Sequence, residues 1–221
     1  MQIVARPPAF ARLSSYGGDP LNLEILAGPL LSLLLGYLLG SIPFGVLLTR
    51  VGGAGDLRTI GSGNIGATNV LRTGRKGLAA LTLLLDGAKG AVAVLIVGAI
   101  WPGNEGLAAV GALLGHLYPV WIGFKGGKGV ATFFGIMVAL HWPSSIAFAL
   151  AWLGMLGLTR YSSVAGMSAA LLAPVAAAAL GRFDLAILYL GFGLLIFWKH
   201  RANLERLLAG TEPRVGGAKD G

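Results

Sequence analysis

Residues 24–48 form an apolar stretch whose only charge is Glu24 at its first position. A helix needs about 20 residues to cross roughly 30 Å of bilayer hydrocarbon, so this run is long enough to span a membrane. Residues 77–101, and 185–198 with their flanks, approach or meet the same length. Hydrocarbon offers the backbone no water to bond, so spanning segments of this kind are helices. Charged residues make up 12% of the chain, against about a quarter in a soluble domain, which leaves too little polar surface to coat a water-soluble particle. The 36 glycines would weaken soluble helices but let membrane helices approach closely. Cys is absent, which excludes disulfides, thiolate nucleophiles and zinc–cysteine sites.

Seven apolar segments can be drawn, at 24–48, 78–101, 107–124, 130–140, 144–158, 162–180 and 185–198. The expected architecture is all-α, a polytopic membrane helix bundle of about seven transmembrane helices. The fourth segment is short for a crossing, so either local bilayer thinning or a re-entrant hairpin with the fifth accommodates it. Residues 1–22, with Arg6, Arg12, Pro7, Pro8 and Pro20, read as a polar N-terminal extension without the apolar run of a signal peptide. Residues 23–212 read as one transmembrane domain and 213–221 as a flexible tail.

The basic residues then orient the chain. Arg50, Arg58, Arg72, Arg75, Lys76, Lys125, Lys128, Arg160, Lys199, Arg201, Arg206, Arg214 and Lys219 all fall on alternate connections, thirteen of the seventeen Lys and Arg. The positive-inside rule puts that face in the cytoplasm, with the N-terminus outside and the C-terminus inside. The net charge of +8 is accounted for by this asymmetry and by attraction to anionic lipid, so no nucleic-acid partner is expected. Outward connections are short, inward ones long, polar and Gly-rich, which directs any chemistry to the cytoplasmic face.

Three inward segments carry candidate chemistry. The first, residues 61–77, reads GSGNIGATNVLRTGRKG. Gly61, Gly63 and Gly66 match a dinucleotide fingerprint formally, but a membrane span precedes them where that fingerprint needs a strand. Glycines interleaved with Ser62, Asn64, Thr68 and Asn69 suit an anion nest of backbone N–H groups, and Arg72 supplies a fork for bidentate phosphate contact. The second reads GHLYPVWIGFKGGKG over residues 115–129. Lys125, Gly126, Gly127, Lys128 and Gly129 resemble a phosphate-binding loop without being Walker A. The third, HRANLERLLAGTE at 200–212, places Leu204, Leu207 and Leu208 at amphipathic helical spacing. Glu205 is expected to pair with Arg201 or Arg206. Ser162 and Ser163 follow Arg160 on the same side. Asp86 and Lys89, three apart inside a span, read as a mutually neutralising structural pair.

Together the three segments resemble the signature motifs of the bacterial acyl-phosphate:glycerol-3-phosphate acyltransferase family, PlsY, in order and in spacing over residues 30–212. The resemblance implies transfer of a fatty acyl group from acyl phosphate to the 1-hydroxyl of sn-glycerol 3-phosphate, in the bacterial inner membrane with the site facing the cytoplasm. It implies no cofactor and no metal, and a monomer is the default expectation. Ser62, Asn64, Thr68, Asn69 and Arg72 would bind phosphate and glycerol, with Gly61, Gly63 and Gly66 shaping the loop. Gly126, Gly127, Lys128 and Gly129, together with Lys125, would form a second phosphate loop, and Ser162 and Ser163 would line the site. His200 and Asn203 would position the attacking hydroxyl, with either His200 or the donor phosphate taking its proton. The alternative from another class is a small transporter or channel for an anionic solute, which would place its binding groups near the midplane and show an inverted repeat.

Overall fold

The computed structural model describes residues 23–216; the N-terminal extension 1–22 and residues 217–221 lie outside the described residues. The helices are α1 (Leu23–Gly40), α2 (Phe44–Val51), α3 (Ala67–Leu71), α4 (Lys76–Ile100), α5 (Glu105–Leu117), α6 (Val130–Thr159), α7 (Ser162–Ala179), α8 (Phe183–Lys199) and α9 (Arg201–Leu208). No strand occurs among the described residues. By length and apolarity five stretches can cross a membrane, namely Leu26–Val51, α4, Glu105–Ile122, α6 and α7. A sixth arises if α8 and α9, bent by 55°, count together.

The expected fourth and fifth segments are the two arms of α6. Its backbone is non-helical at His141 (φ −163°, ψ 86°), just before Pro143. Phe133 and Phe148 meet edge to face at 5.5 Å, although fifteen residues of straight helix would separate them by ~22 Å. The chain therefore doubles back, forming a helical hairpin whose tip is tied by His141 Nδ1 to Ser144 Oγ at 2.8 Å. Phe133 also packs edge to face on Tyr189 and Phe192 of α8, which seats the hairpin in the bundle.

Small residues set a further close crossing. A methyl on Gly36 or Gly40 of α1 would lie 2.3 or 2.1 Å from the carbonyl oxygens of Ala108 or Ala112 on α5. Van der Waals contact of bare backbones is what holds helices together where lipid competes equally for apolar side chains. α1 ends at a break over Ser41–Pro43, and Trp121 Nε1 donates to Ser41 Oγ at 2.7 Å. The polar segments between α2 and α4, between α5 and α6, and around α9 are thereby gathered at one end of the bundle.

Candidate active site

The first polar loop has a small core of its own: Val46, Leu57, Ile65, Val70 and Ala79 pack together beneath it. Asn69, buried, staples it. Its Nδ2 donates to the Leu57 and Ile60 carbonyls at 3.1 and 2.8 Å. Its Oδ1 accepts from Ser62 N at 3.1 Å and Arg72 Nη1 at 3.4 Å. Both halves of the amide are engaged, so Asn69 shapes the loop and aims Arg72, and it also borders the larger cavity described below. Part of the expected anion nest is taken up within the loop itself. The N–H groups of Ser62, Gly63 and Gly66 bond to Asn69 Oδ1, the Ile60 carbonyl and Asn64 Oδ1. Gly61 adopts φ +54°, and a methyl there would meet Asn69 Oδ1 at 2.6 Å, so the turn around the staple requires glycine.

The second loop is pressed against the end of α5. Gly127 N–H donates to the His116 carbonyl at 3.1 Å. A methyl on Gly126 would lie 2.1 Å from that same oxygen, and one on Gly127 would lie 2.2 Å from His116 Nε2. Both glycines are pinned by packing against His116, and Gly126 also lines the smaller cavity described below. Gly129, at φ +87°, turns the chain into α6. Lys128 points inward and its Nζ donates to Asn203 Oδ1. Burial, reinforced by Arg206, Arg72 and Lys199 against the opposing Glu212, lowers its pKa to about 8. Lys125 is exposed and lines neither cavity described below, so the structure does not bring it to the site.

The bend between α8 and α9 presents the third segment. His200 is buried at the bend, and its Nδ1–H donates to the Ile196 carbonyl at 2.7 Å, leaving Nε2 as an acceptor. Burial first, then Lys128, push its pKa down to about 4, so the ring is neutral. Asn203 bridges, its Nδ2 donating to Glu212 Oε1 at 2.5 Å while its Oδ1 holds Lys128. Glu212 also accepts from Ser163 Oγ at 2.7 Å and from Arg206 Nε at 2.8 Å. Burial works against its charge, yet these three donors hold its carboxyl below the usual range. Arg206 thus pairs with Glu212, whereas the expected partner of Arg201 or Arg206 was Glu205, which is exposed. Glu212 is the residue the sequence reading missed; the signal was its place at the end of the third segment, four residues beyond the amphipathic leucines. Beyond it, Val215 N donates to the Arg160 carbonyl at 2.7 Å and Arg214 stacks on Tyr161.

These side chains close one end of a cavity of about 550 Å³. Ser62, Asn64, Thr68, Arg72, Lys128 and His200 line its polar end, with Ser162, Ser163, Asn203 and Glu212. The remainder is an apolar groove between α4 (Leu83, Leu84, Ala88) and both arms of α6 (Phe134, Val138, Trp152). A second cavity of about 240 Å³ gathers Lys128, Lys199, Arg201 and Arg206, and shares Ser62, Asn64, Lys128 and Asn203 with the first. A cationic polar head thus continues into a greasy groove.

The comparisons with known proteins make the class specific: an integral membrane acyltransferase. The profile of the glycerol-3-phosphate acyltransferase family matches residues 30–210, and the chain belongs to that family. It is 58% identical to the glycerol-3-phosphate acyltransferase of Mesorhizobium japonicum, over 86% of this chain and 97% of the relative. It is 55% identical to that of Rhodopseudomonas palustris strain HaA2, over 85% and 96%. Its fold is similar to the crystal structure of PlsY, an integral membrane glycerol 3-phosphate acyltransferase, in the glycerol 3-phosphate form. That match has a TM-score of 0.80 and 38% identity, covering 85% of this chain and 96% of the other. The lysophosphatidic acid form of PlsY gives 0.77 and 35%.

Proposed function

We propose that the protein transfers a fatty acyl group from acyl phosphate to the 1-hydroxyl of glycerol 3-phosphate, releasing 1-acyl-glycerol 3-phosphate and inorganic phosphate. The observation that carries this reading is the shape of the larger cavity, one polar end crowded with Arg72, Lys128, His200 and Asn203 and an apolar groove leading away from it. The acyl chain lies in the groove between α4 and α6, with the phosphate it is joined to at the polar end. Glycerol 3-phosphate enters the smaller cationic cavity. The residues common to both, Ser62, Asn64, Lys128 and Asn203, surround the point where the two substrates meet.

An acyl phosphate is already activated, so no covalent enzyme intermediate is needed. The hydroxyl oxygen attacks the acyl carbonyl carbon, the carbon–oxygen bond to phosphate breaks, and the hydroxyl proton leaves with the phosphate. Neutral His200 accepts a hydrogen bond at Nε2 and orients the hydroxyl. A ring with a pKa near 4 holds a proton too weakly to be its final acceptor, whereas the departing phosphate is the stronger base. Lys128 and Arg72 counter the charge on the leaving group, and Asn203, held by Glu212, fixes Lys128 in place. Orienting two mutually repelling anions is the main catalytic task.

The charge asymmetry of the connections supports a cytoplasm-facing site in the bacterial inner membrane. The test is purified protein in a lipid phase with palmitoyl phosphate and glycerol 3-phosphate, following phosphate release and lipid product. Stoichiometric release is expected, with palmitoyl-CoA a poor donor because neither cavity offers a handle for its nucleotide. Comparable rates with palmitoyl-CoA, or no phosphate release from palmitoyl phosphate, would overturn the reading.

A further inference from the structure

Asp86 and Lys89 of α4 form an ion pair at 2.8 Å, and both residues are buried. Lys89 Nζ also donates to the Ile42 carbonyl, in the break between α1 and α2, at 2.8 Å. His116 on α5 is buried beside them. Its Nδ1 lies 3.7 Å from Asp86 Oδ1, beyond hydrogen-bond length, and has no other partner among the described residues; both side chains border the larger cavity. With that nitrogen unbonded, the ring's position is set by the packing around it. The opposite side of His116 meets the second polar loop twice. Its carbonyl takes the Gly127 N–H, and its Nε2 sits where a single added methyl on Gly127 would come within 2.2 Å. Lys128 is the next residue, and its ammonium reaches across to Asn203.

We propose that His116 is a positioning residue for Lys128. The imidazole is the stop on which Gly127 rests, and the Asp86–Lys89 pair, anchored to the α1–α2 break, backs the ring on its far side. The chemistry is sensitive to such a stop, since misplacing a reacting group by about 1 Å can cost on the order of a hundredfold in rate. The inference rests on the role given to Lys128 under the proposed function.

The geometry makes a specific demand on paired substitutions. Gly127→Ala drives a methyl into the ring and tilts Lys128 away; His116→Ala removes the stop and lets the loop sag. Together they restore contact, because the new methyl occupies space the ring has left. In the acyl-phosphate assay, with folded yield and thermal unfolding checked for each variant, kcat should fall by about tenfold or more in each single variant. KM for glycerol 3-phosphate should move much less than kcat, and the double variant should recover at least about threefold over the poorer single. A loss of general stability alone would make the double variant worse than either single. A double variant no better than the poorer single would overturn the inference. So would wild-type kcat in Gly127→Ala, a result that decides the matter even if no His116 variant folds. Lys128→Ala separates the two levels. If it keeps wild-type kcat, the role of Lys128 falls and this inference with it; if it is inactive while the paired substitutions show no rescue, only the inference falls.

Discussion

Lys128 is the residue at which the electrostatics of the site converge. Its ammonium is half-buried, bonded to Asn203, and surrounded by Arg72, Lys199 and Arg206. Burial and like charges both favour its neutral form, and Glu212 alone opposes them, which brings its pKa to about 8. Below that pH the free enzyme carries the cation; above it the cation is progressively lost. The expected outcome is a kcat/KM that falls tenfold per pH unit well above pH 8, since this ratio reports the free enzyme. The kcat profile should fall only at higher pH, because a bound phosphate favours the charged ammonium. His200 sets the other limit. With its pKa near 4 it contributes no inflection near pH 6.5. A pH–rate series with steady-state kinetics for both substrates checks these points, and a kcat/KM flat from pH 7 to 10 would contradict the role of Lys128.

At the scale of elements, the α6 hairpin decides whether there is a groove at all. Its two arms supply one wall, and what keeps them antiparallel is the break at His141 together with the ring cluster around Phe133. Phe133 is fully buried and touches Phe148 on the other arm and Tyr189 and Phe192 on α8. Because lipid is as apolar as the protein interior, the loss on truncation is one of packing and not of transfer from water. Phe133→Ala should therefore cost toward the lower end of the about 3–5 kcal/mol seen for buried aromatic truncations. Thermal unfolding in detergent should show a clear drop in Tm, and an unchanged Tm would mean that the cluster does not hold the hairpin.

Across the whole molecule, the polar segments collect at one end of a bundle whose flanks are apolar. Leu95, Leu150, Val175 and Ile187 are all more than half exposed, as expected of side chains that face lipid. Absence of native Cys makes orientation directly measurable. Single cysteines at Arg75 or Lys125, both exposed, should react with an impermeant thiol reagent only from the cytoplasmic side. One at Glu105, at the start of α5, should react only from outside. Labelling of Lys125→Cys from outside would separate the site from cytoplasmic glycerol 3-phosphate.

Apolar run length made the helical membrane architecture of this protein readable without a structure. Helices are dictated by the need to bond every backbone group inside hydrocarbon, and that requirement acts on composition, which any sequence displays. The three polar segments were legible for the same reason, because Asn, Ser, Lys and Gly stand out between apolar runs. The work each residue does inside those segments was not legible. Asn69 as a staple, Gly127 pressed against the His116 ring and Glu212 as the anchor of Asn203 all follow from contacts between residues apart in the chain. Glu212 meets Ser163 across 49 positions and Lys128 meets Asn203 across 75. Such pairings depend on how the helices cross, which the close approach of particular glycines and the reversal at His141 decide, and no local pattern of side chains encodes a crossing between distant helices.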